Sequence, residues 1–203
     1  MELQIITSNV MEGTGFKSFL SQNKADYEVK LQLLSANSSN YDELKNSVNK
    51  NAIVIIDTDF LEDETLFNFL LNLYEVGIKC IIYSRLSTPG LMIKARELSM
   101  AGYVSKNSKL SCLLNCLDVI ELGGTYYDSC FSDLLKKIMN FEKMLSTSEK
   151  RLFEAVLLFN NKTIKDLSEI LNISKHTVEV HLSNLYKKAK VSSFNGLIEK
   201  FSL

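Results

Sequence analysis

The sequence predicts an α/β chain in two parts: a (βα)5 doubly wound parallel sheet over residues 1–125 and a small all-α domain of four helices over residues 145–203, joined by a linker helix over 126–144. Three observations predict it. Short β-branched runs alternate with helical periods as far as Gly123-Gly124. The apolar tetrad Ile53-Val54-Ile55-Ile56 suits a central strand buried on both faces. Beyond Leu145 every apolar period is helical.

In order, the strand runs are Leu3–Thr7, Tyr27–Leu34, Ile53–Ile56, Lys79–Tyr83 and Gly102–Ser105. Between and after them lie five helical patterns, marked by Phe16, Phe19 and Leu20, by Leu44 and Val48, by Leu66, Phe69, Leu70 and Leu73, by Ile93, Ala95 and Leu98, and by Leu113, Leu117 and Ile120. Strands alternating with helices imply a parallel sheet covered on both sides. In such sheets chemistry sits beyond the carboxyl ends of the strands, which singles out Ser8, Asn9, Asp57, Ser84 and Lys106. Gly123-Gly124 stops the fifth helix. The pattern Phe131, Leu134, Leu135, Ile138 and Met139 then gives the linker helix its apolar face.

Composition excludes several classes. A hydrophobic fraction of 46% and a charged fraction of 23% are ordinary for a globular chain. No apolar run reaches the roughly 18 residues of a membrane span, and Met1-Glu2-Leu3-Gln4 has no basic lead into an apolar stretch, so a cytoplasmic protein is expected. Cys80, Cys112, Cys116 and Cys130 form no C-x-x-C pair and read as reduced thiols rather than metal ligands. His176 and His181 lie about 140° apart on a helix, too far round to share an ion. No nucleophile triad, P-loop or metal cluster marks an enzyme. Charge is unevenly spread: residues 145–203 hold nine Lys/Arg against six Asp/Glu, and residues 1–144 hold fourteen against eighteen. A mildly basic end on an acidic body fits a nucleic-acid partner.

The C-terminal helices have marked boundaries. Ser146 or Thr147 caps the first, with Glu149, three residues after Ser146, completing a capping box, and Leu152, Val156 and Leu157 form its buried face. The stretch Asn160-Asn161-Lys162 ends it. Thr163 caps a short helix carrying Ile164, Leu167 and Leu171, Asn172-Ile173 turns the chain, and Ser174 caps a longer helix to about Lys190. A short helix, a tight turn and a longer helix make a helix-turn-helix, whose second helix enters the major groove. On that helix Val178, His181, Leu185 and Ala189 are expected to pack inward. Lys175, Glu179, Ser183 and Lys187 recur every four residues on another side, joined by Val180 and Asn184. Ser174 and Thr177 offer hydroxyls and free N–H groups to a phosphate, and Lys187, Lys188 and Lys190 add backbone charge.

Leu145-Ser146, Glu149 and Ser174-Lys175-His176-Thr177-Val178-Glu179-Val180-His181-Leu182-Ser183-Asn184-Leu185-Tyr186-Lys187 resemble the DNA-binding domain of LuxR/NarL-type regulators over residues 145–200. The resemblance implies base-facing Glu179, Val180 and Ser183 and a dimerisation helix at Ser193–Phe201. It also implies a homodimer on double-stranded DNA. Phe194 stands where that family usually has arginine.

With that tail, residues 1–125 resemble a response-regulator receiver. The resemblance implies that Asp57 accepts a phosphoryl group, Ser84 senses it, Lys106 pairs with its oxygens and Tyr103 is the switch aromatic. A receiver also implies a sensor kinase or other protein partner. Receivers carry two acidic residues after the first strand to hold Mg²⁺; here those positions are Ser8 and Asn9, so no cofactor is expected unless the crevice binds Mg²⁺ by other means. Some relatives of this type bind a cyclic dinucleotide through a tryptophan and an arginine after the receiver, where this chain has Tyr126-Tyr127-Asp128-Ser129. The expected function is therefore transcriptional regulation by an atypical response regulator working without Asp phosphorylation, its receiver serving for dimerisation or ligand sensing. Two alternatives stay open: a conventional switch phosphorylated on Asp57, and a pseudo-receiver that only docks on a protein partner. In the simplest reading, Asp57 merely pairs with Lys106.

Overall fold

The computed structural model describes residues 1–33, 48–59, 63–85, 88–160 and 162–202. The chain divides into two compact units, Met1–Leu86 with Ala95–Asp128, and Ser87–Lys94 with Ser129–Leu203. In order, the elements of the N-terminal part are β1 (Glu2–Thr7), α1 (Val10–Asn23), β2 (Glu28–Leu33), β3 (Ile53–Asp57), α2 (Asp63–Glu75), β4 (Lys79–Ser84), α3 (Pro89–Glu97), β5 (Gly102–Ser105), α4 (Leu110–Glu121) and β6 (Tyr126–Tyr127). The helix expected around Leu44 falls outside the described residues; Val48 at its edge is buried.

All strands run parallel in the order β2-β1-β3-β4-β5-β6. The predicted five strands are present, and a sixth joins them. β1 lies between β2 and β3, so the order reverses there, and the crevice beyond their carboxyl ends is the natural ligand position of such a sheet. Register decides what meets in that crevice. Ile6 pairs with Ile56, which sets Thr7 beside Asp57, and Asp57 in turn pairs with Tyr83.

Side-chain alternation buries both faces. Leu3, Ile5, Ile53, Ile55, Ile81 and Val104 form one core with Phe16 and Leu20 of α1 and Leu113, Leu117 and Ile120 of α4. The alternate set, Ile6, Val54, Ile56 and Ile82, is equally buried, and α2 contributes buried Leu66, Phe69, Leu70 and Leu73. Two close approaches need glycine. A Cβ on Gly13 would lie 2.7 Å from a Leu31 methyl and 2.8 Å from the Thr7 methyl. A Cβ on Gly102 would overlap the Cys116 sulfur.

The expected linker helix over 126–144 begins later. Tyr126–Tyr127 pairs with Gly102–Tyr103 of β5, the Tyr126 N–H donates to the Ala101 carbonyl, and the Asp128 N–H donates to the Tyr103 carbonyl. The physical reason is the open edge of β5, whose backbone groups need partners. The helix itself, α5, is Ser129–Glu142. Four helices follow: α6 (Thr147–Leu158), α7 (Ile164–Leu171), α8 (Lys175–Ala189) and α9 (Phe194–Lys200). Phe141 of α5, Phe153 of α6 and Phe201 after α9 form a three-ring cluster with centroids 4.9–5.0 Å apart. This cluster joins α5 to the helices that follow it.

Gly102→Ala is expected to cost about 1–3 kcal/mol, because the added methyl overpacks the β5–α4 contact. Gly15→Ala, inside α1 with nothing within 4 Å of the added Cβ, is expected to gain about 0.5–1 kcal/mol. Urea denaturation followed by circular dichroism checks both; equal midpoints for the two variants would contradict the packing described.

Candidate functional site

The crevice at the strand ends is lined by Ser8, Asn9, Glu12, Asp57, Asp59, Arg85 and Lys106, around about 390 Å³ of space. Its centre is Lys106, whose side chain is 6% exposed. Its ammonium lies 2.7 Å from Asp57 Oδ1, 3.0 Å from Asp59 Oδ2 and 3.1 Å from Glu12 Oε2. An ammonium has three protons, and here it faces three carboxylates. The Thr7 hydroxyl donates to Asp57 Oδ2 at 2.7 Å, and the Asp59 N–H donates to Asp57 Oδ1 at 3.1 Å, so both oxygens of Asp57 are engaged. Ser84 is buried and donates to Asp59 Oδ1 at 3.3 Å, and the Arg85 N–H donates to the same oxygen at 2.8 Å. Asn9 is spent locally: its side-chain oxygen caps α1 by accepting from the Glu12 N–H. Tyr103, expected as the switch aromatic, is fully buried.

Burial opposes the Lys106 charge, but hydrogen bonds to Asp57, Asp59 and Glu12 outweigh it and raise its pKa above the ordinary lysine value. The loop that carries it is braced. Its own N–H donates to the Ser84 carbonyl at 2.9 Å. Buried Asp128 accepts from the Ser105 N–H at 2.7 Å and from the Ser108 hydroxyl at 2.8 Å.

Mg²⁺, which a receiver implies, requires near-octahedral oxygen ligands anchored by one or two carboxylates. The residues present do not fit it. The two positions after β1 are neutral, Asn9 is a helix cap, and the three carboxylates are gathered at hydrogen-bonding distance around an ammonium. With Lys106 in place, no group of three or more His, Cys, Asp and Glu among the described residues is arranged to hold a metal ion.

The C-terminal unit presents a different surface. The Ser174 side chain caps α8 by accepting from the Thr177 N–H at 3.1 Å, and the Ser174 and Thr177 hydroxyls lie 2.8 Å apart. Asn172, left-handed at φ 53°, turns the chain between α7 and α8. Lys175, Glu179, Val180, Ser183 and Lys187 are exposed along α8, with Thr177 and Asn184 half-buried at its margins. Val180 is 45% exposed, an apolar side chain held out among polar ones.

Three expectations for these helices need correction. Lys188 does not face outward: its ammonium donates to Glu149 at 2.6 Å and to the Met144 carbonyl at 3.0 Å, tying α8 to the capping box of α6. Leu182, rather than His181, is buried with Val178, Leu185 and Ala189, because spacings of four, three and four keep to one face of a 3.6-residue helix; His181 is half-buried. On α7, Leu167 is buried, whereas Leu171 is half-buried and Ile164 is 37% exposed. In the crevice, Glu12 and Asp59 join the positions singled out from the sequence. Thr7 and Asp128 were missed, although the β1–β3 register places Thr7 beside Asp57.

The sheet with its crevice and the capped helix pair define a receiver fold joined to a helix-turn-helix. Residues 143–201 match the family described as bacterial regulatory proteins, luxR family. The chain is 33% identical over 109 residues to the response regulatory protein YgeK of Escherichia coli, covering 53% of this chain and 73% of that one. It is 26% identical over 121 residues to the transcriptional regulatory protein DesR of Bacillus subtilis, covering 60% and 58% of the two chains. Among solved structures it resembles RcsB of Salmonella enterica serovar Typhimurium bound to promoter DNA in the presence of the phosphomimetic BeF3− (TM-score 0.64, 19% identity, 100% and 98% covered). It also resembles RcsB in a structure of two dimers bound to two parallel DNAs (TM-score 0.63, 19% identity, 98% and 97% covered). The chain belongs to the luxR family of bacterial regulatory proteins and has the two-part build of a response regulator.

The pairing of α6 with α8 sets a pH dependence. The hydrogen bond from Lys188, reinforced by the Ser146 N–H, holds the Glu149 carboxyl down at about 2, against an ordinary 4.5. A carboxyl depressed in the folded state stabilises fully above its unfolded pKa and loses that contribution as pH falls through the folded value. Glu149→Gln keeps the cap geometry but removes the charge. Its deficit in urea midpoint against the wild type is expected to be greatest above pH 4.5 and to close toward pH 2; a pH-independent deficit would contradict the ion pair.

Proposed function

We propose that this chain is a DNA-binding transcriptional regulator that docks as a homodimer and whose receiver works without phosphorylation of Asp57. The observation that carries the second half of this reading is the hydrogen-bonded cluster around Lys106. Each proton of Lys106 already has a carboxylate, both oxygens of Asp57 are hydrogen-bonded, and no acidic pair follows β1. A phosphoryl group arriving at Asp57 would find neither a free ammonium proton nor a divalent ion to neutralise its charge. The receiver then serves as an assembly or sensing module. The chain is a binding switch in the cytoplasm, where its DNA is, and not an enzyme; no helix of the described residues is long and apolar enough to cross a membrane.

The first half rests on the exposed face of α8. Glu179 can accept from a cytosine amino group, Val180 can meet a thymine methyl and Ser183 can bond either kind of base edge. Ser174 and Lys175 at the helix start, and Lys187 further along, are placed for phosphates. RcsB, whose fold this chain resembles, has been solved as dimers and as a complex on DNA, which supports two-fold related half-sites as this motif's geometry implies.

Two measurements test the reading. In fluorescence anisotropy, Lys187→Ala is expected to weaken binding to all duplexes alike and lower the salt slope by about 1, whereas Ser183→Ala changes the ranking among sequences. Identical effects of both on every duplex would contradict the groove assignment. Intact mass of the full chain after incubation with Mg²⁺ and a small-molecule phosphodonor is expected to show no adduct. An adduct abolished by Asp57→Ala would make the protein a conventional phosphorylation switch.

A further inference from the structure

We infer that the Lys106 ammonium is the crevice's resident cation, filling the electrostatic role of a divalent ion, and that it excludes Mg²⁺ from Glu12, Asp57 and Asp59. The inference rests on the reading of the receiver as phosphorylation-independent and supplies its physical cause.

The stoichiometry is the first support. Three ammonium protons meet three carboxylates at 2.7, 3.0 and 3.1 Å, distances of hydrogen bonds and not of metal coordination. The second support is that every partner is delivered by backbone. Asp57 ends β3, and Asp59 is turned in by its own N–H bonding Asp57 Oδ1. Glu12 arrives on the first turn of α1, which lies close to β1 and β2 because Gly13 has no side chain to meet Thr7 and Leu31. Lys106 itself is fixed through the Ser84 carbonyl on one side and through Asp128, which grips Ser105 and Ser108, on the other. The third support is charge. Apart from Lys106, the only basic group lining the crevice among the described residues is Arg85, whose side chain is 67% exposed and 3.9 Å from Asp59. Without the Lys106 ammonium, three converging carboxylates would be left with that single solvated guanidinium, and a hard dication would be the favoured replacement.

The test uses the full chain. Thermal melting of wild type, Lys106→Met, and Lys106→Met with Asp57→Asn is followed as Mg²⁺ or Mn²⁺ is raised. Wild type is expected not to shift. Lys106→Met is expected to melt lower without metal and to recover by about 3–6 °C once the ion exceeds its dissociation constant roughly tenfold, and the double variant is expected to lose most of that recovery. A folded Lys106→Met with no metal response, or a wild-type melting point that rises with Mg²⁺ as much as the variant's, overturns the inference. Should Lys106→Met fail to fold, Mn²⁺ added to ¹⁵N-labelled wild type decides. Unbroadened amide signals of Glu12, Thr58 and Asp59 support the resident ammonium, and selective broadening of those signals overturns it. A phosphoryl adduct on Asp57 without such broadening would instead overturn the proposed function and leave the cation assignment standing.

Discussion

A lysine ammonium has three protons to give, and in this receiver all three are given inward. Much of the N-terminal unit can be understood as what is needed to bring Lys106, Glu12, Asp57 and Asp59 within 3.1 Å of one nitrogen. A parallel sheet supplies the coarse placement, because the carboxyl ends of β3 and β5 lie on the same edge, with Ser84 of β4 between them. The pairing of Ile6 with Ile56 brings the Thr7 hydroxyl to Asp57. Close packing of α1 at Gly13 brings Glu12 over the crevice. The edge strand β6, two residues long, is followed by Asp128, whose carboxylate holds the Lys106 loop. Asp57 thus stands in a setting made by its neighbours, with the crevice's buried ammonium already shared among three carboxylates.

The C-terminal unit uses adjacent lysines for opposite purposes. Lys187 and Lys188 follow one another on α8, so they point about 100° apart. Lys187 stays exposed, and Lys188 turns back to Glu149 and the Met144 carbonyl. The inward lysine closes α8 onto the capping box of α6, while Phe141, Phe153 and Phe201 bind the helix before the domain and the last helix to the same support. Rigidity on that side matters to the other. A recognition helix reads base edges only if its axis is held, and Lys188 supplies such a hold while Lys187 and Ser183 stay exposed.

What the sequence made legible was what local periodicity and capping encode. Runs such as Ile53-Val54-Ile55-Ile56 declared their strands, Thr163 and Ser174 declared two helix starts to the residue, and Ser146 or Thr147 declared a third to within one. Non-local effects were hidden. Tyr126–Tyr127 is too short to carry a period and becomes a strand because β5 offers an unpaired edge. The buried face of α8 was misassigned at one step, His181 for Leu182, because i+3 and i+4 are both allowed by 3.6 residues per turn and only packing chooses. Lys188 looked like one more basic residue in a run, since nothing in the sequence joins it to Glu149, 39 positions earlier. The reach of Glu12 to Lys106 was equally hidden, because it depends on the close helix packing that Gly13, the residue after it, allows.

Thermodynamic stability alone does not account for the crevice. Ionic clusters in buried settings recover little more than the desolvation they incur, and apolar residues of similar volume often serve folding as well or better. What such a cluster does supply is position. Lys106 adds a further tie among the first turn of α1 and the segments after β3 and β5, through hydrogen bonds that need no added ligand. In a phosphorylation switch those loops must be able to rearrange when charge is added at the strand end. Here a compensating charge is covalently part of the chain and already hydrogen-bonded to three carboxylates. Any group that moves these loops has to exchange partners within that cluster, taking a carboxylate from Lys106 or Lys106 from a carboxylate.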